Sequence, residues 1–365
     1  MGEATRFAEW TRGQALALLA FTAIVLLAAA LLYRAPVTGQ GTAPAAAAPT
    51  SAPVAADERS GRDTDLALYD VIIERVAAGE NYYDVAVEEQ RARNFPVRPG
   101  FAVRLPTLAT ISAAVGPGGV WAMAAILGLL LVWAWWRRLS PIIARPPRKM
   151  IAVGLVLLGI AVSYKPIYFV LHELWSGVLL AIALALQRPG KWRAAWVAAA
   201  LALAIREHAL PFVLLMGALA LWRRDWREAG AWVALALLFL VLLAIHVGTV
   251  AQLTSDADQL SPSWLALRGP QGWLESITLT SGLYLLPAWL GAPLMFLPLL
   301  GWAALKERIG LEALLLFAGY GLLFMIAGRE NNFYWGLMVV PAWFVGLYWV
   351  PAALRDLVTS ARKPA

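Results

Sequence analysis

Residues 57–107 read DERSGRDTDLALYDVIIERVAAGENYYDVAVEEQRARNFPVRPGFAVRLPT, and this charged stretch lies between two long apolar runs. It holds ten of the 23 acidic residues of the chain. Its apolar residues recur at roughly helical spacing up to Gly79, which predicts an amphipathic helix over 65–78 that ends at a glycine cap. A second short helix is predicted over 82–93, before prolines interrupt the pattern. The stretch is therefore predicted to be a folded, water-exposed loop between two membrane spans.

The composition excludes an ordinary soluble domain. The 365 residues are 61% hydrophobic with 18 Trp, and the mean hydropathy is +0.66. The apolar runs have the length of membrane helices and not of barrel strands. The absence of Cys excludes disulfides, thiolate catalysis and Cys-ligated metals. The net charge of +7 is explained by basic cytoplasmic loops, so no nucleic-acid partner is expected.

We therefore expect an all-α polytopic membrane protein with about ten transmembrane or re-entrant helices and both termini cytoplasmic. The first span is interpreted as uncleaved, since its apolar run is long enough to cross the membrane. Two apolar hairpins, 150–187 and 192–222, have arms that are short for a full crossing, so their polar midpoints are expected at the outer face or within the membrane near it. The predicted division is a cytoplasmic N-terminus 1–14, a first transmembrane helix 15–33, an outer loop 34–111, a multi-helix domain 112–351 with a second outer loop 249–283, and a cytoplasmic C-terminus 352–365.

Ionisable side chains at the outer ends of the spans are the candidate functional residues, because charge at membrane depth is costly. Bases outnumber acids beside the spans, which favours an anionic partner, and phosphate suits Arg because the two form bidentate hydrogen bonds. The alternative is that Arg206 pairs with Glu207 or Glu173, and Arg329 with Glu330, as structural ion pairs. The set comprises Asp63, Asp65, Arg93, Arg98, Arg104, Lys165, His172, Glu173, Arg206, Glu207, His208, Arg329 and Glu330.

The two early carboxylates have two possible roles. Asp63 and Asp65 are two positions apart, so on a helix they point in different directions. Either one caps the helix, or one is a general base that takes a proton from an acceptor hydroxyl. Asp256 and Asp258 are a weak signal for a metal, and none is expected. Trp264, Trp273 and Tyr284 are interpreted as loop packing in preference to sugar stacking.

Five short segments at the outer ends of the predicted spans carry a resemblance. They are DLALY at 65–69, GENYY at 79–83, VRLPTL at 103–108, REHALP at 206–211 and GRENNFYWG at 328–336. Together with the long first loop and the broken spans, they resemble bacterial members of the GT-C superfamily of integral-membrane glycosyltransferases, over most of the chain. The resemblance implies a polyprenyl-phosphate sugar as donor, the bacterial inner membrane as location, and an acid of the first outer loop as base. By position that acid is Asp65, with Asp63 second.

The expected activity is that of an inverting glycosyltransferase with a lipid, glycan or protein acceptor and without a cofactor. Alternatives are a polysaccharide polymerase or ligase that acts on lipid-linked glycans, and a transporter. Residues expected to hold the donor phosphate are Arg104, Lys165, Arg206, His208 and Arg329. Supporting roles are expected for Tyr69, Arg98, His172, Glu173, Glu207, Glu330 and Asn332.

Overall fold

The structure is a computed structural model that describes residues 5–34 and 64–364. Within these ranges the chain forms α-helices, short 3-10 helices and two isolated bridges, but no β-strand. The all-α class is thus confirmed for the described residues. The α-helices are α1 Arg12–Leu32, α2 Thr64–Ala77, α3 Tyr82–Ala92, α4 Thr107–Leu139, α5 Pro146–Ile160, α6 His172–Leu186, α7 Arg193–Ile205, α8 Leu210–Trp222, α9 Trp226–Gln252, α10 Gly269–Leu279, α11 Ala288–Leu294, α12 Leu297–Ala304, α13 Arg308–Ile326, α14 Val340–Trp343 and α15 Val350–Ala361.

Four helices of the described chain are long and apolar enough to cross a membrane. They are α1, α9, α13 and the segment Gly100–Leu139 that contains α4. The bent pair Glu330–Met338 and Val340–Ala361 makes a fifth if it counts as one span. The expected number of about ten is therefore not confirmed, because other apolar helices, such as α6, α7 and α8, are shorter than a full span.

Two other expectations about the spans need correction. The predicted second outer loop, 249–283, contains α10, whose Leu274 and Ile277 are buried in the main core. Gly272 of α10 lies so close to the carbonyl of Phe324 that a Cβ atom would be 2.2 Å from that oxygen. The predicted span over 284–305 is split into the short helices α11 and α12. Pro293 lies near the end of α11, where it cannot donate a backbone hydrogen bond.

The second predicted span, 112–136, begins earlier and is bent. α4 starts at Thr107 and contains Gly116 with φ 66° and ψ 176°. The next residue is Pro117, which disfavours the helical conformation in the residue before it. Glycine adopts this positive φ without the steric cost of a Cβ atom. α4 therefore changes direction near its outer end.

The centre of the bundle is α6, which is buried on nearly every face. An apolar helix without a polar face belongs in a core. Against it lies the 3-10 segment Glu330–Met338, and a Cβ atom at Gly177 would be 2.0 Å from the carbonyl oxygen of Leu337. This close approach brings the residues after α13 into the middle of the molecule.

The predicted helices of the charged loop are present as α2 and α3. Gly79 has a φ of 96°, and the N–H of Glu80 donates to the carbonyl of Arg75 at 3.2 Å, as expected of a glycine cap. Leu68 and Ile72 of α2 form a small core with apolar residues of α3 and Val250 of α9. We call residues 64–106 the outer cap, because they cover one end of the bundle.

The opposite end of the bundle, the basic end, carries both ends of the described chain. The N–H of Thr5 donates to the Asp356 carboxylate at 2.7 Å. The guanidinium of Arg6 donates to the carbonyl of Leu305 at 2.5 Å. The guanidinium of Arg138, at the end of α4, donates to the carbonyl of Gln187 after α6 at 3.0 Å. The turns that carry these basic residues therefore lie together, at the end of the bundle opposite the outer cap.

Candidate active site

Two cavities of different character meet beneath the outer cap. The first, of about 100 Å³, is mainly apolar, and the second, also of about 100 Å³, is mainly polar. Four residues line both cavities, and we call them the shared wall: Asp65, Tyr69, Arg104 and Tyr334.

The apolar cavity extends from the shared wall into the bundle. Its lining comes from the connection between α5 and α6, from the end of α10 and from the segment after α13. Aliphatic and aromatic side chains make most of its surface, so it suits a hydrocarbon chain. The apolar lining includes Leu66, Val162, Leu171, Leu279, Phe333 and Leu337.

The polar cavity lies between the outer cap and the loops that precede α10 and follow α13. Its lining combines indole rings with side-chain amides. The guanidinium of Arg329 lies over the ring of Trp264, 5.6 Å from its centroid. Aromatic faces and amide groups together suit a ligand that has both apolar faces and hydroxyl groups. The lining includes Gln90, Trp264, Arg329, Asn331, Asn332 and Trp335.

Hydrogen bonds hold the shared wall in place. Arg104 donates from Nε to the Tyr69 hydroxyl at 3.0 Å and from Nη2 to the Tyr334 hydroxyl at 2.9 Å. The Tyr334 oxygen also accepts from Asn332 Nδ2 at 3.1 Å. Burial raises the pKa of Tyr69, so its phenol stays protonated. Because both phenol oxygens accept from Arg104, each hydroxyl keeps its own proton to donate to a ligand.

Asp65 is the carboxylate of the shared wall. It lies in the first turn of α2, and it is the acid that the sequence put first as a candidate base. Both cavities border it. Asp63, the second candidate, lies outside the described residues.

Arg206 belongs to a buried ion cluster and lines neither cavity. Its Nε lies 2.7 Å from Glu173 Oε1, and its Nη1 donates to Glu207 Oε1 at 2.5 Å. Only 2% of the Arg206 side chain is exposed. His208 lies 3.3 Å from the same Glu207 oxygen. This geometry matches the structural ion pair that the sequence left open as the alternative role of Arg206.

Some of the remaining sequence candidates lie beside the cavities, and others lie at the surface. His172 is buried, with its ring centroid 5.6 Å from that of Tyr69. His208 lies against Trp335 of the polar cavity, with ring centroids 4.2 Å apart. Lys165 and Glu330 are exposed, and neither lines a cavity of the site.

The late acids and the remaining bases connect loops of the outer face. Arg98 lies 2.7 Å from Asp256, and Arg91 donates from Nε to Asp258 at 2.5 Å. Arg93 is engaged by Glu89 within the outer cap. The pairs of Arg98 and Arg91 attach the outer cap to the loop after α9, which gives Asp256 and Asp258 a structural role.

The aromatic residues of the late loop have three different positions. Trp264 lines the polar cavity and Tyr284 lines the apolar cavity. Trp273 packs against the main core, with its ring centroid 6.4 Å from that of Trp343. Trp264 also packs against the main core, in agreement with the interpretation as packing, and it has Arg329 over its ring at the polar cavity.

Tyr334 is the member of the shared wall that the sequence candidates did not include. It lies in the segment 328–336 that was singled out for its likeness to a family, next to Asn332. The sequence signal that could have identified it is a phenol between two apolar aromatic residues, since a buried hydroxyl requires a hydrogen-bond partner.

Comparison of the chain with family models, with curated proteins and with solved structures finds no match. Function is therefore inferred from the two cavities and the residues of their shared wall.

Proposed function

We propose that the protein is an inverting glycosyltransferase of the GT-C type, which moves a sugar from a polyprenyl-phosphate donor to an acceptor hydroxyl. The observation that carries this proposal is that an apolar cavity and a polar cavity meet at one carboxylate, Asp65, and one guanidinium, Arg104. An isoprenoid chain requires an apolar channel, its phosphate requires a cation, and the acceptor hydroxyl requires a base. The site supplies each of these at adjoining positions.

In the proposed reaction the acceptor oxygen attacks the anomeric carbon of the sugar from the side opposite the phosphate. The acceptor hydroxyl gives its proton to the Asp65 carboxylate. The bond between the anomeric carbon and the phosphate oxygen breaks, and polyprenyl phosphate leaves with the bonding electrons. Arg104 and the hydroxyls of Tyr69 and Tyr334 stabilise the charge that develops on that oxygen. Inversion at the anomeric carbon follows from the single displacement.

The lining of the polar cavity favours a glycan acceptor. Trp264 and Trp335 provide flat apolar faces, and Gln90, Asn331 and Asn332 provide amides. Sugar rings present the matching combination of C–H faces and hydroxyl groups. Arg329 lies at this cavity and not at the apolar one, so in the proposal it contacts the acceptor.

The proposed orientation puts the basic end in the cytoplasm and the two cavities on the outer face of a bacterial inner membrane. Basic turns are retained on the cytoplasmic side of membrane proteins. Both ends of the described chain lie at the basic end through contacts such as Thr5 with Asp356, so both termini are cytoplasmic in this orientation. The short helices α6, α7 and α8 then let the site lie below the outer membrane surface.

The test is transfer of radiolabelled sugar from a polyprenyl-phosphate donor in membranes, with wild type compared with Asp65→Asn. We expect wild type to transfer label and the variant to lose at least about a hundredfold in rate, which is the lower part of the range for general bases. Asp84→Asn is the matched control, since Asp84 is an exposed acid of the outer cap that lines neither cavity.

Transfer by Asp65→Asn at the wild-type rate would contradict the assignment of the base. A wild-type protein that is folded but transfers label only from a lipid diphosphate would instead support the polymerase or ligase alternative, whose substrates also carry an isoprenoid chain. Absence of transfer from either donor would contradict the glycosyltransferase proposal and favour a transporter.

A further inference from the structure

A separate cavity of about 820 Å³ lies between α5 and the start of α15, on the cytoplasmic side in the proposed orientation. We call it the basic groove. Pockets for drug-sized ligands enclose about 300–1,000 Å³, and the basic groove lies in the upper part of this range. Three arginines contribute to its lining: Arg145, Arg148 and Arg355.

Two of the three arginines of the basic groove have no ion-pair partner in the part of the chain that the structure describes. No carboxylate lines it, and within residues 5–34 and 64–364 neither Arg145 nor Arg148 has an acid within ion-pair distance. Arg355 is paired with the Asp356 carboxylate at 2.7 Å. Several arginines beside a cavity without an acid favour an anionic ligand, and phosphate matches the guanidinium fork.

Two helix ends add to the positive potential. Arg145 is the N-cap of α5 and Trp349 is the N-cap of α15, and both line the basic groove. The N-terminus of a helix carries a partial positive charge. Both helices have proline in the first turn, which cannot donate an N–H group, so the helix ends add only their partial charge to that of the arginines.

The rest of the basic groove is apolar. Ile151 and Leu155 of α5 form one side, and Leu347, Pro351 and Ala352 form the other. Ile151 is 61% exposed, although it lies on a helix whose other face is packed in the core. A ligand that covers this wall and also satisfies the arginines carries both a hydrocarbon part and a negative headgroup.

We propose that the basic groove binds an anionic phospholipid of the cytoplasmic leaflet, with its phosphate between Arg145 and Arg148 and its acyl chains along α5 and Leu347. Basic pockets between helices on the cytoplasmic side suit such headgroups, and each basic residue near the surface adds attraction for an anionic lipid. The proposal rests on the orientation proposed above but involves neither cavity of the outer site, so it does not depend on the glycosyltransferase activity.

The experiment measures lipid retained by the purified full chain in uncharged detergent, by mass spectrometry of the intact protein. Wild type is titrated with phosphatidylglycerol, with phosphatidylcholine of the same acyl chains, and with inorganic phosphate. We expect specific retention of phosphatidylglycerol alone. The double variant Arg145→Gln and Arg148→Gln is expected to bind it about 25-fold more weakly, from about fivefold for each arginine removed. This variant leaves the contact of Arg355 with Asp356 intact.

The matched control is the pair Lys191→Gln and Arg193→Gln, which removes the same charge from exposed positions that do not line the basic groove. It is expected to retain lipid as wild type does. Equal loss in the control pair would mean that the general charge of the basic end attracts the lipid, which overturns a built site. Equal retention of phosphatidylcholine, competition by inorganic phosphate at the same concentration, or full retention by the double variant would each overturn the proposal as well.

Discussion

Arg206 and Arg104 lie at the same end of the bundle and share one acid, Glu173, but their surroundings differ. Arg206 is 2.7 Å from Glu173, is also bound by Glu207, and is nearly inaccessible. Arg104 is 3.7 Å from Glu173, and its N–H groups donate to two phenols that line the cavities. Two carboxylates at hydrogen-bonding distance therefore neutralise Arg206, whereas Arg104 hydrogen-bonds to neutral phenols at the surface of a cavity and has its nearest carboxylate at 3.7 Å.

The difference shows why a guanidinium at a membrane surface does not by itself indicate a ligand site. An arginine between two carboxylates has its hydrogen-bonding groups engaged, and a ligand phosphate would have to displace an acid. An arginine that donates to phenols keeps its full positive charge, which favours an approaching anion. Glu173 lies near both guanidinium groups, so it links the buried cluster around Arg206 to Arg104.

The largest expected effect is on the stability of the buried cluster. Arg206→Gln would leave Glu173 buried without its closest cation, and removal of one partner of such a pair costs about 3–5 kcal/mol. We expect this decrease in the free energy of unfolding, measured by denaturant titration in mixed micelles. The double variant with Glu173→Gln is expected to recover part of it. Wild-type stability together with a loss of transfer would mean that Arg206 is a ligand residue and that the comparison with Arg104 is wrong.

Arg104→Gln is expected to show the opposite pattern. The variant keeps a polar side chain in the shared wall but removes the positive charge, so transfer should decrease about 10²-fold to 10³-fold, as when one stabilising donor is lost. The free energy of unfolding should change much less than in Arg206→Gln, because Glu173 remains paired with Arg206. The measurements are the radiolabel assay and the same unfolding titration. Arg91→Gln, at the rim of the outer cap, is the control and should transfer label at nearly the wild-type rate.

Tyr334→Phe tests whether a phenol that accepts from Arg104 contributes to sugar transfer. The change removes one hydroxyl that accepts from Arg104 and Asn332, and we expect transfer to decrease about tenfold, as for one hydrogen bond to a charged group. Tyr284→Phe makes the same chemical change in the apolar cavity, and the phenols to which Arg104 donates within the described ranges are Tyr69 and Tyr334. If the two variants lose the same activity, the loss reflects the cavity surface and not the contact with Arg104.

The outer cap was predictable because its structure depends on neighbours in sequence. The spacing of apolar residues and the position of Gly79 predicted α2 and α3 to within a residue or two of the helices observed. The placement of Asp65 in the first turn of α2 follows from the same local pattern. The short arms of the two hairpins were also visible, since the length of an apolar run limits how far a helix extends.

Three of the four residues of the shared wall were sequence candidates, but their meeting could not be predicted because the contacts are distant in sequence. Arg104 and Tyr334 are 230 positions apart, and no local period indicates that they meet. The count of ten spans was not confirmed for a related reason. An apolar run such as 284–305 predicts burial, but burial in the core and a membrane crossing have the same composition, and prolines then divide the run into short helices.

The smallest effect is expected at Arg91 and Asp258, an ion pair at the exposed rim that completes the comparison of arginine environments. The hydrogen bond from Arg91, with that from the N–H of Ser255, lowers the pKa of Asp258. The pair therefore stabilises the fold above the pKa of an unfolded Asp, about 3.9, and this contribution is lost as the pH decreases toward the folded pKa. The difference in unfolding midpoint between wild type and Asp258→Asn should be largest near neutral pH, disappear in acid and decrease in high salt, which screens exposed pairs. The destabilisation by Arg206→Gln should persist in high salt, because the cluster around Glu173 is buried, and an equal salt dependence of the two variants would contradict the distinction between a rim pair and a buried one.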